Sequence, residues 1–595
     1  MNLRSRKKLK ILLLFVFTTL FLSSCTGQAL DKLWLKSDGW SRGVLMGETA
    51  MASPMEPVID PSGKVYSVLF PRSAIEDGLY QPQLAVLSPD AQFRTLVPLD
   101  FQINQPREAK LILIDGGLDL FWIESNQLKA VQLNERGERL SEIMILSTEE
   151  RVAHLEVVRL KDGYEIWYSG SQENPGIYAL SGEMGNLEKN VMDSEGIEIS
   201  LFVDAENQLH ASWSRYPLSY GDVEFYYLQP EIDDGEVPQP EIIFSTGVSP
   251  AVRIEGPVLG IDEEVGYIIW SAAITAGLDA GERTTYYRYF PIGEPETIRP
   301  PMAIRIPIKA NLPTDEFNYG TFQTGERVYL SSGIPSSSAV ENVEILGGQF
   351  GELAIVFRLR SEFKWRDYRN QTNIAFISDG LVTTYQPLSY TSAESYYPSV
   401  VNDQDMNLFV TWLEKGETIY RAYLTTTDPL KKYHIDLVSL EDYLYLTAEG
   451  IFGLLAGSVL SPFAAAAWGG IGLIGFVFNM IFSQFNKPVY RTLGEILSMA
   501  TGVGVFWFMK LATLPGLKTW DYVPFSAWIP RIPEVLIKPL IYGVPTLIAL
   551  ISLAVAYFNT YGKKNGSPIN FFLLYCAVDA LLSCAVYGVL IYGSF

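Results

Sequence analysis

The fold of this chain can be read from Asp115-Gly-Gly-Leu-Asp-Leu-Phe-Trp122. The stretch opens with polar turn residues and continues with alternating apolar side chains that end at a tryptophan. Period-two alternation after an Asp-Gly turn is typical of a β-strand in a hairpin. The same pattern recurs along the chain, so we interpret it as one copy of a repeat.

Four further copies share the polar turn and the closing tryptophan: Asp162–Trp167, Asp204–Trp213, Asp262–Trp270 and Asp403–Trp412. Two weaker copies, Asp60–Phe70 and Gly351–Phe357, end at a phenylalanine. From Trp122, successive tryptophans are 45, 46 and 57 residues apart, and the last gap of 142 residues leaves room for two degenerate copies. Spacings near 45 residues are typical of four-stranded propeller blades.

A small twisted sheet cannot bury both of its faces alone, whereas radially packed sheets cover one another. We therefore predict an all-β propeller over residues 45–438, with six to eight blades and seven favoured. The aromatic residue that closes each strand is expected to fill the wedge between neighbouring blades. The residues with this structural role are Trp122, Trp167, Trp213, Trp270, Phe357 and Trp412.

The order of turn, strand and tryptophan resembles the repeats of bacterial sialidase-like (BNR-type) propellers. The full Asp-box, Ser-x-Asp-x-Gly-x-x-Trp, is absent from every copy, so the resemblance concerns architecture. A sialidase-type site implies an arginine triad, a Tyr nucleophile with a Glu partner, and an Asp acid/base. No spacing in the sequence marks such a set.

The amino terminus has the three parts of a secretory signal: five Lys or Arg residues, the apolar run Ile11–Leu22, and small residues before Cys25. Leu22-Ser23-Ser24-Cys25 resembles the lipobox of bacterial lipoproteins, which implies that Cys25 is acylated and becomes the first mature residue. The alternative is an uncleaved signal anchor. Either interpretation places the following residues outside the cytoplasm, with 1–25 as the signal and 26–44 as a tether.

Residues 439–595 are predicted to form an all-α transmembrane bundle of about five spans. The spans are Tyr443–Leu460, Phe463–Phe482, Leu493–Met509, Pro539–Phe558 and Ile569–Tyr592. Ser439 and Asp442 form a capping box for the first helix, and Ser461-Pro462 is expected to start the second. If residues 443–482 held a single span, there would be four. The positive-inside rule does not decide, because each side carries four Lys or Arg residues.

Three intramembrane polar residues are candidates for function: Asp579, near the middle of the last span, and Glu449 and Glu495. A carboxylate in the bilayer core is costly and often functional. One hypothesis is proton or ion handling, and the other is a hydrogen-bonded carboxyl group that joins helices. We favour the second, since we expect no other charge near the middle of the membrane.

The net charge argues against nucleic-acid binding, and the sequence of one acidic loop argues against a calcium site. Residues 26–439 carry a net charge of −28, which disfavours binding to nucleic acid. Asp403, Asp405 and Asn407 imitate the first half of a calcium loop, but Leu408 stands where that loop needs Gly. We expect a hairpin turn there whose side chains cap backbone amides, and we expect no metal, cofactor or catalytic residue.

The sequence therefore favours a protein of the bacterial cytoplasmic membrane with an extracytoplasmic propeller. Its partners would be membrane lipid and an extracytoplasmic protein, peptide or glycan, in a binding or scaffolding role rather than an enzymatic one. A carbohydrate-active enzyme is one alternative, and it predicts at least two carboxylates and several arginines at one end of the propeller channel. A transport or signalling protein is the other, and it predicts that Asp579 faces a polar cavity.

Overall fold

The computed structural model describes residues 32–33, 39–72, 78–147, 150–161, 163–216, 221–229, 240–262, 265–308, 328–329, 336–346, 352–364, 367–389, 391, 393–416, 418–485, 488–513, 523–524, 534–562 and 566–592. They fall into two compact units, one that ends at Leu437 and one that begins at Val438. The first is built of β-sheets and the second of helices.

Seven antiparallel sheets of the described residues form the predicted β-propeller, whose prediction is confirmed. Blade 1 contains Val58–Ile59, Val65–Leu69, Gln83–Leu87 and Arg94–Pro98, and blade 2 contains Pro106–Ile114, Gly117–Glu124, Gln127–Asn134 and Met144–Ile145. Blade 3 contains His154–Leu160, Gly163–Ser171, Asn174–Glu183 and Asn186–Asp193, and blade 4 contains Gly196–Val203, Leu209–Arg215, Asp222–Leu228 and Glu241–Gly247.

Blade 5 contains Val252–Ile261, Val265–Ile274, Arg283–Pro291 and Met302–Ala303. Blade 6 contains Val340–Leu346, Leu353–Lys364, Asp367–Ser378 and Leu381–Pro387, with Val328–Tyr329 at its edge. Two small sheets pair Leu79–Tyr80 with Ile103–Asn104 and Ile306–Pro307 with Ser336–Ser337. A short 3₁₀-helix covers Pro295–Thr297.

Blade 7 closes the ring with strands from both ends of the unit. Its first three strands are Ser395–Asn402, Leu408–Lys415 and Tyr420–Thr426, and its outer strand is the amino-terminal Gly43–Thr49, extended by Lys32–Leu33. Such a blade holds the two ends of the ring together by backbone hydrogen bonds. The propeller therefore begins before residue 45, within the predicted tether.

A short helix, α1 (Pro429–Asp436), follows blade 7 and packs on the propeller. Asp428 caps the amino end of α1, since its carboxylate accepts hydrogen bonds from the amides of Leu430 and Lys431. Lys431 and Ile435 are buried beneath the helix.

The repeated aromatic residues occupy equivalent places on the second strand of their blades. All six predicted residues are at most 4% exposed, and Phe70 is buried directly after the second strand of blade 1. Trp167 of blade 3 and Trp213 of blade 4 lie 6.5 Å apart between ring centroids, so they fill a wedge between blades. One blade, not two, lies between Trp270 and Trp412, because the described part of that gap also holds connecting segments.

The helical unit contains α2 (Leu440–Gly470), α3 (Phe476–Phe482), α4 (Pro488–Thr513), α5 (Glu534–Thr560) and α6 (Pro568–Tyr592). A 3₁₀-helix, Ile471–Gly475, joins α2 to α3 without a break. Among the described residues, four segments are long and apolar enough to cross a membrane: Leu454–Phe482, Pro488–Thr513, Val535–Thr560 and Pro568–Tyr587. Our expectation of five spans is therefore wrong.

The error arose at Ser461-Pro462, which lies inside α2 instead of starting a new helix. Pro462 has no amide hydrogen to give to the carbonyl of Ser458, one turn earlier. The Ser461 hydroxyl donates to that carbonyl at 2.8 Å and so replaces the missing bond. The predicted capping box at Ser439 and Asp442 is confirmed.

Glycines allow the helices of this unit to pack closely. A Cβ atom on Gly472 would lie 2.6 Å from the Phe572 ring and 2.8 Å from the Gly502 carbonyl oxygen. Only glycine fits at such a backbone approach. Phe506, Phe572, Tyr575 and Cys576 complete the apolar core around this contact.

Candidate functional site

A set of charged side chains from several blades converges at one end of the propeller channel. In an antiparallel blade, the first strand begins, the second ends and the third begins at the same face. We call this face the mouth, and the opposite face contains the turns between first and second strands. The residues described below lie at the mouth because they occupy these strand ends.

Backbone distortions recur at the start of the first strands of successive blades. The pairing of the first and second strands shifts register in blades 4, 5, 6 and 7. Each shift contains a residue with positive φ: Glu198 at 51°, Gly256 at 102°, Asn342 at 50° and Tyr397 at 49°. Three of these four are not glycine, although a left-handed backbone is unfavourable for them. Bulges of this kind redirect side chains and concentrate near functional sites.

Carboxylates connect two pairs of neighbouring blades at the mouth, blades 2 and 3 and blades 4 and 5. Glu108 of blade 2 accepts a hydrogen bond from the amide of Leu155 at 2.9 Å and contacts His154 Nδ1 at 3.0 Å, both in blade 3. Glu198 of blade 4 accepts a hydrogen bond from the amide of Gly256 at 2.7 Å, within the bulge of blade 5. The bond from Gly256 holds the bulge of blade 5 against blade 4, and the contacts of Glu108 join blade 2 to blade 3.

An alternating chain of acids and bases continues through blades 5 and 6. Arg283 Nη2 lies 3.0 Å from Glu255 Oε1, and Arg283 Nη1 lies 3.7 Å from Glu341 Oε2. Arg358 also forms an ion pair with Glu341. All four side chains remain partly accessible to solvent, from 17% for Arg358 to 36% for Glu255. This series of four side chains is thus balanced in charge and open to a ligand.

Three tyrosines of blade 7 form a corner beside Arg358 of blade 6. Tyr396, Tyr397 and Tyr420 have ring centroids 6.2–6.3 Å apart, and the Arg358 guanidinium lies 4.6 Å from the Tyr396 ring. The Tyr396 hydroxyl donates a hydrogen bond to Glu394. All three rings are half-buried. We call these three residues the tyrosine corner.

A second group lies deeper in the channel, around Lys110 of blade 2. Its ammonium is 2.9 Å from Glu56 and 3.0 Å from Glu156, and it also interacts electrostatically with Glu344 of blade 6. Because blades 2 and 6 meet only across the channel, the group lies near its axis. Burial, opposed by Lys110 and reinforced by Glu56 and Glu156, raises the pKa of Glu344 to about 8. Burial likewise raises the pKa of Glu156.

His154 is drawn toward its charged form by the same surroundings. Burial lowers its pKa, but the hydrogen bond and charge of Glu108, together with Glu198 and Glu156, raise it to about 8. Among the described residues, no group of three or more Asp, Glu, His or Cys side chains is arranged to hold a metal ion. The mouth therefore presents paired charges, protonated carboxyl groups and aromatic faces to a ligand.

Asp579 is fully buried in the helical unit and forms an ion pair with Lys510 of α4. Lys510 Nζ lies 2.5 Å from Asp579 Oδ1 and donates to Ser583 Oγ at 2.7 Å. The Trp507 ring, 4.5 Å away, covers the ammonium. Our expectation that no second charge lies near Asp579 is wrong, because α4 continues beyond the predicted end at Met509 and carries Lys510 into the bundle. The carboxylate faces a cation rather than a polar cavity or packed Gly and Ala.

The remaining candidates lie apart from the mouth. Glu495 is half-buried on α4, 3.9 Å from Arg491. Glu449 lies in α2, and its side chain is outside the described residues, as is Cys25. Asp403 accepts hydrogen bonds from the amides of Asp405 and Asn407 and from the Asn407 side chain, so its oxygens cap the turn.

The sequence contains a signal for the mouth that is separate from the tryptophan repeat. Acidic and basic residues alternate two apart at the beginning of first strands, as in Glu108 and Lys110, His154 and Glu156, and Arg253 and Glu255. Alternate residues of a strand share one face, so these pairs indicate a charged lining. The repeat was recognised by the tryptophan of the second strand, and the charged pairs lie on the strand before it.

No family model matches the chain, and no curated protein matches it. Among solved structures, it is similar to the polysaccharide lyase Uly1, with 9% identity over 63% of this chain and 89% of that chain and a TM-score of 0.41. It is also similar to the endo-arabinase of Bacteroides thetaiotaomicron (11% identity, 54% and 93% covered, TM-score 0.27) and to Trypanosoma rangeli sialidase (10%, 71% and 61%, 0.31). These similarities concern the propeller fold and not its function.

Proposed function

We propose that the protein is a membrane-anchored, extracytoplasmic binding propeller whose ligand surface is the mouth. The observation that carries the proposal is the recurrence of left-handed bulges in four successive blades at that one face. Backbone strain of about 1–3 kcal/mol per residue persists only where the surroundings impose it. Here it accompanies partly exposed charged and aromatic side chains from six blades, 2 to 7, which suits recognition of a polar ligand.

Membrane anchoring rests on the four apolar helical segments and on the signal at the amino terminus. Four spans return the carboxy terminus to the side of the propeller. The Lys and Arg residues at or near the span ends on the other side are then Lys487, Arg491, Lys563 and Lys564, against Lys518, Arg531 and Lys538 on the side of the propeller. Lys510 no longer counts, since it lies inside the bundle. The positive-inside rule now favours an extracytoplasmic propeller, by four residues to three. The bacterial cytoplasmic membrane and the acylation of Cys25 are parts of the proposal that rest on the amino-terminal signal alone.

A binding screen with the full-length protein in lipid nanodiscs tests the proposal. Glycan and peptide arrays would be probed with the wild type, with Arg283→Gln and with Lys64→Gln, whose ion pair with Glu135 lies among turns of the opposite face. We expect Arg283→Gln to weaken binding about tenfold or more, because a ligand-contacting charge is lost. We expect Lys64→Gln to bind as the wild type does. Equal binding by all three proteins would contradict the proposal.

Carbohydrate-active catalysis is a second candidate, and one observation favours it. Several carboxylates converge at the mouth with two arginines, fewer than the several arginines that this alternative predicted, and the carboxyl group of Glu344 keeps its proton near neutral pH. A protonated and an ionised carboxyl group are the two components of glycoside hydrolysis. Incubation of a bound glycan with wild type and with Glu344→Gln, followed by product analysis, tests this. Turnover by the wild type alone would favour an enzyme, and no turnover by either would leave the binding role.

A further inference from the structure

We infer that the ligand of the mouth is an uncharged glycan and that the tyrosine corner is the subsite on which a sugar ring stacks. This inference rests on the proposed function and names the ligand class for the same surface. It follows from the charge balance of the mouth, the geometry of the corner and the absence of excess positive charge in the deeper group.

Four charged residues of the mouth, Arg283, Arg358, Glu255 and Glu341, already satisfy one another's charge. Arg283 pairs with Glu255 and Glu341, and Arg358 pairs with Glu341. A ligand that carries its own charge would have to break one of these pairs, which is costly for partly buried ions. A hydroxyl group both donates and accepts hydrogen bonds, so it can join a guanidinium and a carboxylate without separating them.

The deeper group disfavours an acidic glycan. Glu56, Glu156 and Glu344 surround a single Lys110, so the channel below the mouth carries no excess positive charge. The ectodomain as a whole is strongly acidic. Sulfated or carboxylated sugars would therefore be repelled on approach rather than attracted.

The tyrosine corner supplies the apolar component that sugar recognition needs. A pyranose ring has C–H groups on its faces and hydroxyl groups at its rim, so one side chain must present a flat surface while others provide hydrogen bonds. Tyr397 lies at the bulge of blade 7, and its ring is 6.3 Å from the ring of Tyr420. Its other neighbour is Tyr396, whose ring contacts the Arg358 guanidinium. The left-handed backbone at Tyr397 fixes the position of a partly exposed ring, which packs on the core of blade 7, beside the charged residues.

The test measures binding of full-length protein in nanodiscs to two panels, neutral oligosaccharides and acidic oligosaccharides, together with a peptide panel. We expect a neutral oligosaccharide to bind, with an affinity that changes less than about twofold between about 0.05 and 0.5 M NaCl, since screening does not affect an uncharged ligand. Tyr397→Ala should weaken it about tenfold, and Tyr397→Phe, which keeps the ring, should bind nearly as the wild type does. Tyr433→Ala, at an exposed tyrosine of α1 on the opposite face, is the matched control.

The outcomes separate this inference from the proposed function. Binding confined to an acidic glycan or to a peptide, lost on Arg283→Gln, would overturn the inference and keep the mouth as the binding surface. Neutral-glycan binding that is lost on Arg283→Gln but unchanged in Tyr397→Ala would overturn the stacking subsite. Binding that no mouth variant alters would overturn both. Circular dichroism of each variant confirms that it is folded.

Discussion

Single residues convert a structural repeat into a surface with its own chemistry. In most blades the turn between the first and second strands uses one aspartate in the same way: Asp60, Asp204, Asp262 and Asp403 each accept a backbone amide hydrogen bond from the turn. At the other end of the first strand, the residues differ from blade to blade. One end of each blade therefore serves stability, and the other carries the individual side chains of the mouth.

Glu344 gives a pH-dependent prediction at this scale. Its pKa is about 8 in the folded state, against an ordinary value of 4.5, so the folded protein holds this proton more tightly than the unfolded chain. The contribution of Glu344 to the free energy of unfolding should therefore be greatest below about pH 4.5. It should fall as the pH rises from there and be lost above about pH 8. Because glutamine cannot ionise, we expect Glu344→Gln to lose less stability than the wild type over this pH range, by on the order of 1–2 kcal/mol. This value allows for solvent screening of a partly exposed group.

Thermal unfolding of the propeller, followed by circular dichroism between about pH 5 and 8.5, measures this effect. His154 acts in the same direction between its ordinary pKa of 6.5 and its folded value of about 8, so part of the loss remains in the variant. Glu142→Gln, at an almost fully exposed side chain, is the control and should follow the wild type. A variant that loses as much stability as the wild type would show that Glu344 is ionised at neutral pH.

The pair of Lys510 and Asp579 gives the second prediction. Removing one partner leaves the other charge buried, which costs about 3–5 kcal/mol in protein interiors. We therefore expect Lys510→Met and Asp579→Leu each to destabilise the helical unit and the double variant to recover most of the loss. Equilibrium unfolding in bicelles measures the three free energies. If Asp579→Leu alone were neutral to stability and abolished a cellular activity, the transport or signalling hypothesis would gain support instead.

At the scale of elements, helix α2 shows why the number of spans was predicted incorrectly. Serine followed by proline is a common start of a helix, and the sequence alone does not show that a hydroxyl can also repair the middle of one. The unbroken segment through α2 and α3 is longer than a single span requires, which the composition could not distinguish from a helical hairpin. The capping box at Ser439, by contrast, depends on a local pattern and was predicted correctly.

Because the Ser461 hydroxyl replaces the hydrogen bond that Pro462 cannot make, the effects of substitutions at these two residues on stability should depend on each other. Ser461→Ala should destabilise the helical unit by about 1 kcal/mol, because the Ser458 carbonyl loses its hydrogen bond. In a Pro462→Ala background, the new amide hydrogen bonds that carbonyl, so the same serine substitution should cost clearly less. The four proteins of the cycle, unfolded in bicelles, give the coupling energy. An equal cost of Ser461→Ala in both backgrounds would mean that the hydroxyl does not replace the missing bond.

For the whole molecule, the ring is closed by blade 7, and we expect this closure to limit the stability of the propeller. Glu48 on the amino-terminal strand is paired with Arg421 on the third strand of blade 7. We expect a disulfide from Glu48→Cys and Arg421→Cys to stabilise the propeller by about 2–4 kcal/mol, since it closes a loop of almost the whole ring. The native Cys576 and Cys584 are buried in the helical unit and should not compete.

Thermal unfolding with and without reductant measures the effect of this disulfide. The control is Ser181→Cys with Glu188→Cys, a paired position on neighbouring strands of blade 3 that closes only a short loop. The control should stabilise the protein less. A closure disulfide that forms but gives no more stability than the control would indicate that opening of the ring does not limit unfolding.

The architecture was predictable because propeller blades repeat, and a repeat reveals itself without knowledge of distant contacts. Trp122, Trp167 and Trp213 mark equivalent positions that the sequence displays at regular spacing. The mouth was not predictable in the same way, because Lys110 and Glu344 are brought together only when the ring closes. The bulge at Tyr397 was not predictable either, since left-handed backbone at tyrosine is unusual and no local pattern marks it.

Hydrogen–deuterium exchange of the full-length protein in nanodiscs, with and without the bound glycan or peptide, tests most directly whether the mouth is the ligand surface. The first strands of blades 4 to 7 and the beginnings of Pro106–Ile114 and His154–Leu160 should become protected when ligand binds. Turns of the opposite face, around Asp60, Asp204 and Asp403, should be unchanged. Protection confined to those turns or to the edges of the blades would contradict the assignment of the mouth as the binding surface.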